Sequence, residues 1–125
     1  MNDRKRIAIV DDDESVRESL PDLLTSLGFG VRPFANAEDF LQSGEIHVAD
    51  CIILDVAMPG MTGPELQQEL RRRGNMTPII FITAHSDEKG WSALFNSGAV
   101  ACLLKPFSED AMLDAVRTAL ALERG

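Results

Sequence analysis

Five polar residues stand where apolar segments of strand length end, and their chemical types suit phosphoryl chemistry. Asp11 and Asp12 follow the first such segment, Asp55 ends the third, Thr83 ends the fourth and Lys105 ends the fifth. Three carboxylates that converge repel one another, so cations must lie among them. Lys105 supplies one positive charge. Mg²⁺, a hard ion that prefers oxygen ligands and accompanies phosphate, is the natural candidate for the rest.

A carboxylate flanked by a metal ion and a lysine can attack phosphorus and become an aspartyl phosphate. Asp55 is the best candidate for this nucleophile, because it ends a central strand and the turn at residues 58–60 after it can aim backbone groups inward. Thr83 would donate its hydroxyl to a phosphoryl oxygen, and Lys105 would offset the charge. Taken alone, an acid such as Asp13 more often caps the following helix. The combination of residues is what predicts a site.

The elements that position these residues are predicted from alternating apolar runs and helical periods. Continuous apolar runs such as residues 79–82 indicate strands that are buried on both faces and paired in parallel. We predict strands at residues 6–11, 30–34, 50–55, 78–83 and 99–105. We predict helices at residues 16–27, with Gly28 as the cap, and at 37–42, 63–73, 87–96 and 108–122. Five strand and helix repeats with short connections give a doubly wound α/β fold.

The carboxyl ends of parallel strands meet at one edge of a sheet, and ligands bind there, where the strand order reverses. All five polar residues are therefore expected in one crevice, although they are scattered over most of the sequence. One residue conflicts with the predicted elements. Pro21 falls inside the first helix, where a proline costs roughly 3 kcal/mol, and we expect a kink that the packing of its neighbours tolerates.

Size and charge restrict the class of protein. A chain of 125 residues suits a single domain with one core, so residues 1–125 are taken as one unit. The net charge of −8 argues against direct contact with nucleic acid, which requires a basic face. The apolar run Ile7 to Val10 is too short for a signal peptide or a membrane span, so we expect a cytoplasmic protein. Cys51 and Cys102 lack the spacing of a disulfide framework or a metal site, and we expect free buried thiols.

Four segments resemble the signatures of receiver domains of bacterial two-component response regulators, and the resemblance covers essentially the whole chain. They are Ile9-Val10-Asp11-Asp12-Asp13, Leu54-Asp55-Val56-Ala57-Met58-Pro59-Gly60-Met61-Thr62-Gly63, Ile82-Thr83-Ala84 and Leu104-Lys105-Pro106-Phe107. Residues 16–20 and 105–107 resemble a FixJ-like branch of this family. The resemblance implies a (βα)5 flavodoxin-like three-layer sandwich with five parallel strands in the order 2-1-3-4-5.

The resemblance also implies a magnesium site. Asp55 would be the phosphoryl acceptor and a metal ligand, Asp12 a direct Mg²⁺ ligand and Asp11 a ligand mainly through water. The backbone carbonyl of Ala57 would be a further ligand. Asp13, the third acid of its run, is expected to be a helix cap.

A signalling role follows from the same resemblance. Thr83 and Lys105 would contact the phosphoryl group, and the peptide bond between Lys105 and Pro106 would be cis. The phosphoryl group would come from a sensor histidine kinase and would favour one partner surface, such as a homodimer or an output domain. Catalysis would be limited to self-phosphorylation and slow self-dephosphorylation, so a turnover enzyme is not expected.

Cys102 departs from the family pattern, which has an aromatic residue three positions before the lysine. A cysteine has no ring to swing inward, so the usual aromatic readout is not expected here. A disulfide with Cys51 is not expected either, because the fourth strand would separate the two residues by about 10 Å. His85 lies two residues after Thr83, and we expect it to be a loop histidine. Trp91 lies on the predicted fourth helix, where we expect it either to pack in the core or to contact a partner.

Three alternatives remain at this stage. A phosphatase of the haloacid dehalogenase type also places an aspartate nucleophile after a strand, with a second acid two positions on, which Asp11 and Asp13 match and Asp55 and Ala57 do not. A flavodoxin-like flavin binder shares the fold, but the acidic loop after the first strand would repel a phosphate. A degenerate receiver acting without phosphorylation is consistent with Cys102. The sequence fits either a single-domain regulator or the N-terminal part of a longer one.

Overall fold

A computed structural model describes residues 4–84 and 98–121 and contains a five-stranded parallel sheet. The strands are β1 (Arg6–Val10), β2 (Gly30–Phe34), β3 (Cys51–Asp55), β4 (Ile79–Thr83) and β5 (Ala101–Leu104). Within the described ranges the helices are α1 (Glu14–Ser26), α2 (Ala37–Gln42), α3 (Glu45–Val48), α4 (Gly63–Arg72) and α5 (Glu109–Ala121). The strand order is β2-β1-β3-β4-β5, with every pair parallel, so the predicted fold is confirmed.

Two apolar layers cover the two faces of the sheet, because successive strand residues point to opposite faces. One layer contains Ile7, Ile9, Ile53, Ile80 and Ile82 of the strands with the buried faces of α1 and α5. The other contains Ala8, Val10, Ile52, Leu54 and Phe81 with buried residues of α2, α3 and α4. Every residue of β3 and β4 is buried, as expected for central strands covered on both sides.

The predicted element boundaries are wrong by one or two residues at several ends. Residues such as Asp11 and Asp50 lie just outside strands but still donate a backbone hydrogen bond to the neighbouring strand, to Phe34 O at 3.0 Å and to Arg6 O at 2.7 Å. The residue pattern cannot separate such flanking residues from the strand itself. The helix α3 was not predicted, because a single turn of four residues is too short to show a helical period. The predicted helix 87–96, together with His85 and Trp91, lies outside the described residues.

The capping residues of α1 are those that the sequence indicates, although the helix spans Glu14–Ser26 and not 16–27. Asp13 is its N-cap, and Asp13 Oδ1 accepts hydrogen bonds from the backbone N–H and the hydroxyl of Ser15 at 3.0 and 2.7 Å. The helix continues through Pro21 to Ser26, so the proline does not end it. Gly28 follows with a φ of +98°, a left-handed conformation that favours glycine. None of the helices in the described ranges is long and apolar enough to cross a membrane.

The two cysteines are buried and free, as predicted. Cys51 belongs to the layer under α1 and α5, whereas Cys102 belongs to the layer on the opposite face of the sheet. The sheet itself therefore separates the two sulfur atoms, in addition to the strand that lies between β3 and β5. Burial raises the pKa of the Cys51 thiol to about 12 and that of the Cys102 thiol to about 11. Both are protonated thiols at neutral pH.

Candidate functional site

The register of β1 and β3 brings two acids side by side at the carboxyl edge of the sheet. Val10 is paired with Leu54, and Asp11 and Asp55 are the next residues of the two chain segments. Both are buried, whereas the neighbouring Asp12 is exposed. One carboxylate oxygen from each of these three aspartates lies within 4.8 Å of the others. The predicted acidic cluster is therefore present, at the point where the strand order reverses.

The position of Asp11 is fixed by hydrogen bonds from three directions. Its backbone N–H donates to Phe34 O at 3.0 Å, and its backbone carbonyl accepts from Arg17 Nη1 at 2.9 Å. Its carboxylate Oδ1 accepts from the backbone N–H of Asp13 at 2.8 Å. The remaining oxygen, Oδ2, is buried and faces the Lys105 ammonium at 2.9 Å.

Lys105 supplies a positive charge at the centre of the acids. Its Nζ lies 2.9 Å from Asp11 Oδ2, 3.7 Å from Asp55 Oδ1 and 3.7 Å from Asp13 Oδ2. The contact with Asp11 is an ion pair and is the shortest of the three. The backbone N–H of Lys105 donates to Thr83 O at 2.7 Å, and the peptide bond to Pro106 is cis, as the resemblance implies.

Thr83 and Ala57 lie at the same edge of the sheet. Asp55 is paired with Ile82 of β4, so Thr83 stands one residue beyond that pair, and it is buried. Ala57 is exposed in the loop that leaves β3, two residues after Asp55. The strands thus bring together Asp11, Asp55, Thr83 and Lys105, while coordination by the Ala57 carbonyl stays a prediction.

Gly63 packs against the backbone of Asp55, a contact that the sequence did not reveal. A Cβ atom at residue 63 would stand 2.3 Å from Asp55 O and 3.1 Å from Val56 Cα, so only glycine fits here. The glycine follows Thr62, which with Glu65 forms a capping box at the start of α4, with hydrogen bonds of 3.3 and 2.9 Å. The helix start is thereby held directly beneath the Asp55 carbonyl.

The surroundings of Asp55 raise its affinity for a proton well above that of an exposed aspartate. Burial raises the pKa of Asp55 to about 7, with the Asp11 charge adding to the rise and Lys105 opposing it. Burial by itself lowers the pKa of Lys105, but the Asp11, Asp55 and Asp13 carboxylates outweigh burial and the net shift is upward. Lys105 is therefore a permanent cation, and one lysine does not neutralise the cluster.

The donor set fits a hard divalent cation. Asp11, Asp12 and Asp55 offer three carboxylates, which are the oxygen ligands that Mg²⁺ prefers. The raised pKa of Asp55 reflects its burial first and the neighbouring Asp11 charge second, and Lys105 supplies one compensating positive charge. A divalent ion would add positive charge beside these carboxylates and so favour the ionised form of Asp55. These residues, with the Ala57 carbonyl by position, are the candidates to hold it.

Comparison with known proteins agrees with this geometry. The model of the response regulator receiver domain family matches residues 7–117. The chain is 42% identical over 118 residues to the transcriptional regulatory protein TdiR of Thauera aromatica, covering 94% of this chain and 52% of TdiR. It is 40% identical over 114 residues to the transcriptional regulatory protein FixJ of Azorhizobium caulinodans, covering 91% of this chain and 54% of FixJ. The solved structure of FixJ-N superposes with a TM-score of 0.86 at 33% identity, covering 100% of this chain and 99% of that one.

This chain belongs to the response regulator receiver domain family, a class of signalling domains phosphorylated at a conserved aspartate. The predicted resemblance, including its FixJ-like character, is confirmed. The chain spans about half the length of the curated relatives it matches. Family membership also accounts for residues 55–63, which the alternative of a haloacid dehalogenase type phosphatase leaves unexplained.

Sequence reasoning missed two contacts besides that of Gly63. Arg17 lies on α1 and holds the Asp11 carbonyl, although its position in the sequence suggests only a surface residue. Asp13 caps α1 as predicted, but its Oδ2 also lies 3.7 Å from Lys105 Nζ. Both contacts join residues whose approach depends on the packing of α1 against the strand ends, and no local pattern signals them.

Proposed function

We propose that Asp55 of this receiver domain accepts a phosphoryl group from a sensor histidine kinase in a magnesium-dependent reaction. The observation that carries the proposal is the position of Asp55, whose buried carboxylate at the end of β3 has Asp11 and Asp12 within 4.8 Å and the Lys105 ammonium at 3.7 Å. A nucleophilic carboxylate for phosphoryl transfer needs cations around it, and this edge of the sheet provides one and has ligands for another.

Each residue of the site would have a separate role in the transfer. An oxygen of Asp55 attacks phosphorus, and the bond between phosphorus and the donor nitrogen breaks, with its electron pair leaving on the kinase histidine. Lys105 offsets the charge on one phosphoryl oxygen, and the Thr83 hydroxyl donates a hydrogen bond to another. Bound Mg²⁺, held by Asp11, Asp12, Asp55 and the Ala57 carbonyl, would supply further positive charge at the phosphoryl oxygens and keep Asp55 ionised.

The phosphorylated domain would be the signalling form, so the domain would act as a switch. Its own chemistry would be self-phosphorylation, from the kinase or from a small phosphodonor, and slow self-dephosphorylation. Phosphorylation would bias an existing equilibrium between two surface states, with Thr83 and the loop after it as the local element. Cys102 is a small side chain in the core layer beside α4, so this readout would not depend on an aromatic ring at that position.

The partners of the domain follow from its family. The curated relatives TdiR and FixJ are named transcriptional regulators. We propose that residues 1–125 form a single receiver domain that favours a homodimer or acts on an output domain when phosphorylated. The net charge of −8 speaks against nucleic acid as a direct partner of this domain. We also propose a cytoplasmic location, which membership of the receiver family implies.

The test is phosphorylation by acetyl phosphate in the presence of Mg²⁺, followed by intact mass measurement. We expect one added phosphoryl group on the wild-type protein and none on Asp55→Asn. We expect slower labelling of Asp12→Ala and Lys105→Ala and of wild-type protein with the metal chelated. The exposed acid Asp22 offers a matched control, since Asp22→Asn removes the same charge from the outer face of α1. Full labelling of Asp55→Asn would place the acceptor elsewhere.

A further inference from the structure

We infer that Asp13 is a positioning residue that holds the Lys105 ammonium on the α1 side of the site and thereby slows phosphorylation of Asp55. The inference rests on the proposed function, because it concerns the rate at which Lys105 reaches a phosphoryl group on Asp55. It adds a role to a residue that the sequence explains fully as a helix cap, and it separates that residue from the three aspartates that are candidates to hold the metal ion.

The two oxygens of the Asp13 carboxylate serve different partners. Oδ1 accepts both hydrogen bonds from Ser15 and so caps α1. Oδ2 lies 3.7 Å from Lys105 Nζ, the same distance that separates Nζ from Asp55 Oδ1. Asp13 is not among the three acids whose oxygens converge within 4.8 Å. Its charge therefore acts on the lysine.

The Asp13 charge is present under working conditions. The two hydrogen bonds from Ser15 and the nearby Lys105 ammonium all favour the ionised carboxylate. Ser15 also fixes the carboxylate in place, so that Oδ2 faces Lys105 while Oδ1 is bonded. The carboxylate is 42% exposed, which means that water screens the ion pair without abolishing it.

Lys105 must move to do its proposed work. In this structure its ammonium is shared among Asp11, Asp13 and Asp55, and its shortest contact is with Asp11. A phosphoryl oxygen would lie beyond the Asp55 carboxylate, so the ammonium has to shift toward Asp55 as phosphorus approaches. Attraction to Asp13 opposes that shift. Among the described residues, removal of the Asp13 charge leaves Asp11 and Asp55 as the acidic partners of the lysine and so favours the shift.

The restraint can be separated from the helix cap by substitution. Asparagine caps helices about as well as aspartate, so Asp13→Asn keeps the acceptor for Ser15 and removes only the charge. Glu14 is the matched control, because it is the next acid along the chain and is exposed in the first turn of α1. Glu14→Gln removes an equal charge from the same end of the helix. A general change in the field at the helix start would affect both variants equally.

The experiment measures the rate of phosphorylation by acetyl phosphate at saturating Mg²⁺ and constant ionic strength, by intact mass, for the full chain. Asp13→Asn is expected to react roughly two- to fivefold faster than wild type, the range that a partly exposed ion pair can produce. Glu14→Gln is expected to react at the wild-type rate. In a Lys105→Met background, assayed at high donor concentration, Asp13→Asn is expected to have no effect. Thermal unfolding of Asp13→Asn should match that of wild type.

Other outcomes overturn the inference in distinguishable ways. Equal rates for wild type and Asp13→Asn, with labelling still lost in Asp55→Asn, would refute the role of Asp13 and leave the proposed function intact. Equal acceleration by Glu14→Gln, or acceleration that persists in the Lys105→Met background, would show that the effect does not run through the lysine. A wild-type protein that accepts no phosphoryl group, or accepts it equally in Asp55→Asn, would overturn both proposals together.

Discussion

Gly63, the first residue of α4, lies directly against the backbone carbonyl of Asp55, and a Cβ atom there would stand 2.3 Å from that oxygen. The backbone N–H of Gly63 also donates to Val56 O at 3.0 Å, so the helix start and the strand end are bonded as well as packed. The carboxylate of Asp55 is held by the same strand end. A substitution at residue 63 must therefore move either α4 or the proposed phosphoryl acceptor.

Gly63→Ala is expected to impair both folding and phosphorylation. The obstructing atoms belong to the backbone and cannot rotate away, so the loop from residue 56 to 62 has to shift. We expect the free energy of unfolding to fall by about 2 to 4 kcal/mol, the range for severe overpacking. Urea denaturation measures the loss, and the rate of phosphorylation by acetyl phosphate reports the displacement of Asp55.

Gly44→Ala is the control for this substitution. Gly44 has a φ of −73°, and a Cβ atom there would meet nothing within 4 Å. The change should leave phosphorylation unaffected and alter the unfolding free energy by less than about 1 kcal/mol in the stabilising direction. Equal effects of the two substitutions would contradict the importance of the contact with Asp55.

A second prediction concerns the stability of the metal-free protein as a function of pH. The folded-state pKa of Asp55, about 7, lies above the ordinary value of 3.8, so the folded protein binds this proton more tightly than the unfolded chain does. The stability that the protonated group contributes is complete below about pH 4 and is lost as the pH rises through 7. Asp55→Asn, which cannot ionise, should lack this loss and be more stable than wild type at pH 8 by up to about 4 kcal/mol.

Urea denaturation at pH 5 and pH 8 in the presence of a chelator measures this difference. Because Mg²⁺ would favour the ionised carboxylate, its addition at pH 8 should stabilise wild type more than Asp55→Asn and narrow the gap. Asp22→Asn, at an exposed position on α1, should show no such gain. A wild-type protein whose stability rises between pH 5 and pH 8 by more than that of Asp55→Asn would contradict the raised pKa.

A third prediction compares two carboxylates whose ion pairs differ in burial. The Glu45 carboxylate is only 4% exposed and is paired with Arg6, while Arg32 Nη1 lies 3.9 Å away. Arg6 Nε donates to Glu45 Oε2 at 3.3 Å, which connects α3 to the start of β1. Glu45→Gln removes the charge that both guanidinium groups face and is expected to lower the free energy of unfolding by about 1 to 3 kcal/mol.

Glu69 is the matched control for this pair. Its carboxylate has hydrogen bonds of 2.6 Å from Arg72 and Arg73, but they lie on the solvent side of α4. Because water screens such pairs, Glu69→Gln should change stability less than Glu45→Gln, although two arginines donate hydrogen bonds to Glu69. Glu45 lies near the start of β1, at the opposite edge of the sheet from Asp55, so neither variant should alter the rate of phosphorylation. A larger destabilisation by Glu69→Gln would contradict burial as the deciding factor.

The candidate site was more predictable from the sequence than the contacts that support it. Asp11, Asp55, Thr83 and Lys105 follow or end apolar runs, and a parallel sheet brings strand ends together whatever the details of packing. The lysine contact of Asp13 and the helix packing of Gly63 depend on how a helix start meets a strand end. Such distances are set by tertiary packing over many residues, and they leave no periodic or local signal in the sequence.

The last prediction concerns Arg17, which fixes the acidic loop from outside the cluster. Its Nη1 donates to the Asp11 backbone carbonyl at 2.9 Å, and the two residues are six positions apart in the sequence. Arg17→Lys keeps the positive charge but loses the reach and the planar donor, so the charge near the acids is unchanged while the bond is lost. We expect Mg²⁺ to bind about tenfold more weakly, at the lower end of the effects of groups that orient metal ligands.

Calorimetric titration of Mg²⁺ into the two proteins measures the difference. Arg117→Lys, on the exposed face of α5, is the control and should bind the ion as wild type does. If only the charge of Arg17 mattered, Arg17→Lys would bind Mg²⁺ as wild type does and only Arg17→Met would bind it more weakly. Because Asp11 also bonds to Phe34 and Asp13, the loop should keep its fold, and thermal unfolding of Arg17→Lys should shift little. Unchanged Mg²⁺ affinity in Arg17→Lys would mean that these other bonds suffice to position Asp11.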